Sequence, residues 1–484
     1  MRFTRIPVLV ATVAALMLSC GVARADTVGH VFPAMDTAAS IPSFSQTANR
    51  NDYVILQAWE TQKLHSLKAA NPNVKVLVYK NLAFSAELPD SHNGGSPSGV
   101  LYSEAPDSWF LKNGSGQRFT SEGFGWLWAM DIGNADYQRA WADNVIAEMN
   151  SEGWDGVFLD DSNATMKYHY PVAEVAKYPS DATYSAAMGS ALAYIGPKIR
   201  AAGKLAVPNF AAWVEAPTVY NSWLQYVDGA LDEMFCKWGR GDGEGYRREP
   251  EWNLQLKEAK FAAAQGKDFI AYTQGAPGET QAARFGYATV LLASNGNASY
   301  AFTPEYATEN WMPEYEYALG APLAAESRDS NGVHRRAFAN GLVLVNPTSS
   351  IQSADFEGTY SGSGLTNATA ATLAPHSALV LTGTAAPQEK VSTIKLFTSA
   401  QSGKVSLRWT VDKRVRQYKI FRNGKPVETT SGRRSVEAGL RNGRLYRYKV
   451  VGLDRRGRVV ARSMPKQVRP GASAVALAQR SKVS

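Results

Sequence analysis

Cysteine is nearly absent: the 484 residues hold only Cys20 and Cys236. If Cys20 leaves with an N-terminal signal, no intramolecular disulfide can form, and the domains must hold by core packing alone. Cys236 follows an apolar run and reads as a buried small hydrophobe rather than a nucleophile. Histidine is scarce too, with six scattered residues, no HExxH pattern and no Cys/His spacing. No metal or other cofactor is therefore expected. An acidic pair can still hold Mg2+ or Ca2+, and loss of activity in chelator would reveal such a site. No Gly-rich loop follows the first strand candidate, which excludes the usual phosphate and dinucleotide folds. Long apolar runs are missing as well: Ile6–Leu18 is too short for a membrane span, and no later segment resembles one.

What is there begins at the N-terminus. Arg2 and Arg5 precede that apolar run, and Ala23-Arg24-Ala25 fits a small-x-small cleavage site before Asp26. Residues 1–25 thus read as an export signal, and the mature chain is expected to be secreted or periplasmic. Met17-Leu18-Ser19-Cys20 offers a second reading, a lipoprotein signal with Cys20 carrying the lipid. Charge is unevenly spread. Residues 391–484 carry 23 Lys and Arg against 4 Asp and Glu, and the remainder 28 against 39. A basic end on an acidic body suggests an anionic partner such as a cell-surface polymer, although a merely solvated surface would look the same. Nothing marks a specific nucleic-acid partner.

From residue 30 to 303 apolar runs alternate with helical patterns, as in successive βα units. Strands are predicted at 30–35, 53–57, 74–80, 156–160, 205–209, 229–234, 269–273 and 299–303. Eight is the number that closes a (β/α)8 TIM barrel, placed here at 26–325. Helices are predicted at 137–150, 184–202 and 254–264. Between the third and fourth strands lie roughly 75 residues, an insertion long enough to wall a binding cleft. Its segment 126–132 competes for a strand position. A small antiparallel β-domain follows at 326–385, with alternation over 333–346 and 371–383 around a Ser/Gly/Thr-rich middle. Residues 384–388 read as a linker, and residues beyond about 471 as a disordered tail.

Carboxylates end two of the strands. Gly153-Trp154-Asp155-Gly156-Val157-Phe158-Leu159-Asp160-Asp161 closes the fourth, and Asp228-Gly229-Ala230-Leu231-Asp232-Glu233 the sixth. The C-terminal rim of such a barrel is where its chemistry sits. Glycoside cleavage needs one carboxylic acid for the leaving oxygen and one carboxylate as nucleophile or base. Asp160 suits the second role. Glu233, beside Met234 and Phe235, suits the acid; Asp232 alternates away from it along the strand, so one of the two faces the core. Asp161 either caps the following turn with Ser162 and Asn163 or contacts substrate. Sugar rings stack on aromatics, so Trp59, Trp126, Trp128, Trp213 and Trp238 are candidate platforms, although each alone fits core packing. Asp36, Gln57, Lys80, Asn209 and Gln274 stand at other strand ends as candidate hydroxyl partners.

The motif Gly-Trp-Asp-Gly-Val-Phe-Leu-Asp-Asp resembles the strand-four motif of bacterial TIM-barrel glycosidases. These include hypothetical glycosyl hydrolase family 15 and the endo-α-1,4-polygalactosaminidase-like group. The resemblance covers about residues 28–385 and includes a small β-domain closing the barrel, here Gly341–Pro347 and Pro375–Leu381. It implies that Asp160 is the nucleophile or base and Glu233 an acid on strand six. Strand five ends in Asn209 with no carboxylate, unlike the α-amylase-like arrangement. Residues 386–470 resemble a fibronectin type III domain: Trp409 on one strand, Tyr418 before the Asn423-Gly424 hairpin, then Leu440 and Tyr446 near a tyrosine-corner position. The expectation is an exported glycoside hydrolase acting on a polysaccharide, with an α-linked polymer favoured. A non-catalytic polysaccharide-binding or attachment protein is the alternative.

Overall fold

The computed structural model describes residues 28–471, except 36, 89–94, 171–174, 242, 386–390, 456 and 458. The expected signal, Cys20 and Asp36 lie outside the described residues, as do residues 472–484 and most of the expected linker. The chain forms two compact units, dividing between Ala386 and Pro387.

The first unit holds eight parallel strands: β1 Gly29–Pro33, β2 Tyr53–Leu56, β3 Lys75–Asn81, β4 Gly156–Asp160, β5 Leu205–Pro208, β6 Gly229–Asp232, β7 Asp268–Gln274 and β8 Ala298–Thr303. Neighbours in sequence are neighbours in space, and β8 returns to pair with β1. The join between β5 and β6 is thinner. It consists of a bridge between Asn209 and Leu231, with Phe210 N–H donating to the Leu231 carbonyl at 2.8 Å. The molecule is thus a (β/α)8 barrel, and all eight expected strands are present within a residue or two.

Seven helices wrap it: α1 Phe44–Arg50, α2 Thr61–Ala70, α3 Ala135–Glu152, α4 Asp181–Ala201, α5 Pro217–Trp223, α6 Glu249–Ala264 and α7 Thr280–Ala293. After β8 comes a 3-10 turn, Pro313–Glu316, whose Tyr315 packs with Trp311 against His30 beneath β1. Period-two alternation separates two cores. Val31, Ile55, Leu77, Phe158, Val207, Leu231 and Ile270 fill the barrel interior, while their alternates Val54, Val76, Val157, Ala206 and Ala230 face the helices. The segment that competes for a strand position resolves differently. Phe124–Ala129 forms a strand outside the barrel, antiparallel to Phe84–Ala86, because the insertion folds into its own three-stranded sheet.

Beyond the barrel lies a six-stranded sheet in spatial order Ser327–Arg328, β9 His334–Phe338, β10 Gly341–Asn346, β13 Ser377–Ala385, β11 Gln352–Gly362 and β12 Leu365–Leu373. The Ser/Gly/Thr-rich middle is therefore two long strands and not a loop. Their small polar side chains obscure the alternation that marks a half-buried strand. One face of β10, with Val343 and Val345, packs on the barrel unit's core; the other, with Leu342 and Leu344, packs on Phe356 and Tyr360. Helix α7 is sandwiched and apolar nearly all round, as a buried helix must be. Arg336 of β9 donates to the Leu291 and Ser294 carbonyls at 2.8 and 2.6 Å, satisfying the end of α7.

The second unit is a β-sandwich. One sheet holds Leu396–Gln401, Lys404–Trp409 and Arg434–Ala438. The other orders Ser392–Ile394, Val459–Ser463, Tyr446–Leu453, Gln417–Arg422 and Lys425–Thr430. Trp409, Tyr418, Tyr448 and Val450 share its core. The Tyr446 hydroxyl accepts from Arg441 N–H at 3.1 Å, back toward the preceding turn.

Candidate active site

Six interior positions continue the period-two rule past an apolar residue onto the C-terminal rim. They are Gln57 after Ile55, Tyr79 after Leu77, Asp160 after Phe158, Asn209 after Val207, Glu233 after Leu231 and Gln274 after Tyr272. All six line one cleft of ≈ 1250 Å³. That exceeds the roughly 300–1,000 Å³ typical of small-ligand pockets and suits an oligosaccharide.

At its floor, Asp160 accepts hydrogen bonds from the Tyr79 hydroxyl at 2.5 Å and Asn209 Nδ2 at 2.9 Å. Glu233 accepts from the same Nδ2 at 2.7 Å and from the Tyr306 hydroxyl at 2.5 Å. Asn209 Oδ1 is held by Ala211 N–H at 2.9 Å, so the amide nitrogen must face the carboxylates. Two donors on one planar nitrogen diverge by about 120°, which sets the nearest oxygens of the two carboxylates roughly 5 Å apart.

Asp161 enters the site by a backbone device. Its φ of +52° turns the chain sharply at the end of β4, a conformation Asp tolerates better than most residues. The carboxylate then meets Asn81 Nδ2 at 2.6 Å and His169 Nε2 at 3.1 Å inside the cleft. Asp161 also accepts from Asn163 Nδ2 at 3.4 Å, and the Ser162 hydroxyl donates back to the Leu159 carbonyl at 3.0 Å.

Trp59, Trp126 and Trp238 also line the cleft. Three expected site residues do not. Lys80 has the opposite parity to Tyr79, so its ammonium is buried behind the barrel wall, on Glu148 of α3 at 2.5 Å and the Ser96 carbonyl at 2.6 Å. Trp213 is fully buried among Phe210, Tyr220 and Phe269, since the chain after β5 turns it into the helical layer. Trp128 lies further along the insertion strand, with its indole N–H on Glu87 at 2.7 Å. Cys236 is buried, and burial pushes its thiol far above the ordinary value. Tyr79, Asn81, His169 and Tyr306 are site residues that strand-end counting missed. Parity alone would have found Tyr79.

Gln274 plays a structural part. Its Oε1 accepts from Gly239 N–H at 3.0 Å, helping to seat the loop that carries Trp238, Arg240 and Arg247. Lys237, fully buried, pins the same loop through Glu279 at 3.0 Å. Behind the rim Asp232 faces outward as alternation requires, bonded to Gln255 Nε2 at 2.9 Å and Met234 N–H at 3.0 Å. Burial pushes its carboxyl up to about 7 and that of neighbouring Glu258 up to about 9.

A closed parallel barrel with two converging carboxylates at its C-terminal rim defines a glycosidase-type scaffold. The chain belongs to hypothetical glycosyl hydrolase family 15, whose profile matches residues 68–342. No curated protein matches it in sequence. Among solved structures, a maltogenic α-amylase from Thermotoga neapolitana is 10% identical over 75% of this chain and 100% of its own, with a TM-score of 0.45. The sixth fibronectin type III domain of human fibronectin type III domain containing protein 3 is 16% identical over 18% of this chain and 93% of its own, with a TM-score of 0.17. A family 28 exopolygalacturonase from Yersinia enterocolitica is 15% identical over 17% of this chain, with a TM-score of 0.16; the match spans 21% of that enzyme.

Proposed function

We propose that the protein is an exported glycoside hydrolase that cleaves a polysaccharide by double displacement with retention of configuration. The observation that carries this reading is the single Asn209 amide shared by Asp160 and Glu233. A separation of roughly 5 Å between the nearest oxygens lies closer to the ~5–5.5 Å of retaining pairs than to the ~6.5–9.5 Å that leaves room for an attacking water. Asp160 attacks the anomeric carbon, its anion steadied by Tyr79 and Asn209. Glu233 protonates the departing oxygen, then takes a proton from the water that hydrolyses the glycosyl-enzyme. Gln57, Asp161, Asn81 and His169 are placed to bind sugar hydroxyls, and Trp59, Trp126 and Trp238 to stack on ring faces. The convergence of the carboxylates favours this reading over a non-catalytic binding scaffold.

The test is product release from a panel of α- and β-linked polysaccharides, amino-sugar polymers included, with α-linked polymers expected to react. Asp160→Asn and Glu233→Gln should each abolish release while the fold is kept. Nuclear magnetic resonance should show the initial product anomer matching the substrate. Full activity in both variants would remove the assignment, and inversion would remove the double displacement.

The basic sandwich, proposed as a fibronectin type III-like module, is read as an anchor for an anionic cell-surface polymer. In its described part Asp412 and Glu437 form ion pairs with Arg414 and Arg422. Export, with cleavage after Ala25 or lipidation at Cys20, is tested by the N-terminal sequence and mass of the protein secreted by its host.

A further inference from the structure

The insertion strand Phe124–Ala129 buries one face and presents the other. Leu127 and Ala129 are buried, whereas Phe124 and Trp126 are 40% and 43% exposed, and Trp128 is half-buried. Phe124 and Trp126 meet edge to face at 6.3 Å, and the half-buried Tyr102 stacks on Trp128 at 5.6 Å. Glu87 fixes the Trp128 ring through its indole N–H. Phe124 and Trp126 are exposed and mark a contact surface, while Trp128 and Tyr102 pack their inner edges on the core and leave part of their rings open beside them. Two facts say what they contact. Phe124 and Trp126 line the cleft that holds the carboxylates, and Trp128 continues their row beyond it. At about 3.4 Å per residue, the strand carries this row over roughly 14 Å from Phe124 to Trp128, longer than one sugar ring.

We propose that Phe124, Trp126, Trp128 and Tyr102 form an aromatic track that continues the catalytic cleft outward and holds the polysaccharide chain beyond it. The track rests on the glycosidase reading for its occupant. Apolar faces of successive sugars stack on the rings, and the chain passes along the Phe124–Ala129 strand before reaching Asp160.

The test is mobility of the full chain in native gels cast with soluble starch, pullulan, dextran, chitosan or polygalacturonate. The wild type and Asp160→Asn should be retarded alike by at least one polymer. Trp126→Ala and Trp128→Ala should each weaken that retardation about tenfold. Trp126 is exposed and can be removed without disturbing the core, so its variant decides the matter if Trp128→Ala fails to fold. Unchanged retardation in Trp126→Ala, or no retardation of the wild type by any polymer, overturns the track. The glycosidase reading fails separately, if Asp160→Asn still releases sugar from the retarding polymer or the wild type releases none.

Discussion

One amide nitrogen sets the relation between the two carboxylates, so Asn209 should matter as much as either acid. Asn209→Leu keeps the volume but removes the amide that bridges Asp160 and Glu233. A fall in kcat of about 10²-fold or more is expected, within the range for removing one preorganised donor. A kcat near wild type would show that the bridge is incidental. Tyr306→Phe removes the hydroxyl that holds Glu233 in place, and kcat should fall as the acid loses its fixed position. At this scale the sequence was legible wherever parity could be counted. Asp160, Asn209 and Glu233 sit two residues past an inward apolar side chain. Lys80 stands near a strand end but has outward parity, so its position along the strand alone points to the wrong face.

Among the elements, the segment after β6 is held by buried polar contacts as well as by the apolar packing of Phe235 and Cys236. Lys237 and Glu279 are 0% and 4% exposed as side chains. Breaking such a pair on one side costs about 3–5 kcal/mol, because the remaining charge is left buried. Lys237→Met should therefore lower the urea midpoint, and it should raise KM by freeing Trp238 and Arg247. Behind β6, the folded state holds protons on Asp232 and Glu258 that the unfolded chain releases above its ordinary values of 3.8 and 4.5. Those raised values stabilise the fold most in acid, and the contribution is lost as pH rises through about 7 and then about 9. Glu258→Gln should flatten the fall in stability between pH 5 and pH 9, measured by urea unfolding. A parallel decline in both proteins would refute this. Neither feature was legible beforehand: Lys237 and Glu279 come from different βα units, and the burial of Asp232 and Glu258 depends on how α6 packs on β6.

For the whole molecule, the sandwich has its own apolar core and forms a compact unit from Pro387 onward. Calorimetry should resolve a separate transition that disappears when residues 387–484 are deleted. The deletion should spare cleavage of soluble substrate while abolishing binding to acidic polymer at low salt. Binding that resists salt in the intact chain would argue against an electrostatic anchor.

The eight-strand count, the domain order and the two strand-end carboxylates were determined by the sequence itself. Apolar runs ending in Asp or Asn record burial and direction within one βα unit, and period two records which face is inward. The pairing of Asp160 with Glu233 was decided only by tertiary structure. It depends on how far apart barrel neighbours stand and on an asparagine from the strand between them. The same holds for Asp161, whose left-handed backbone turns it into the cleft, and for Tyr306 and His169, which arrive from loops. It also holds for the Ser/Gly/Thr-rich strands β11 and β12, which gain definition from β10 and β13 rather than from their own side chains. Local chemistry is written along the chain, but distances between distant residues exist only once the barrel closes.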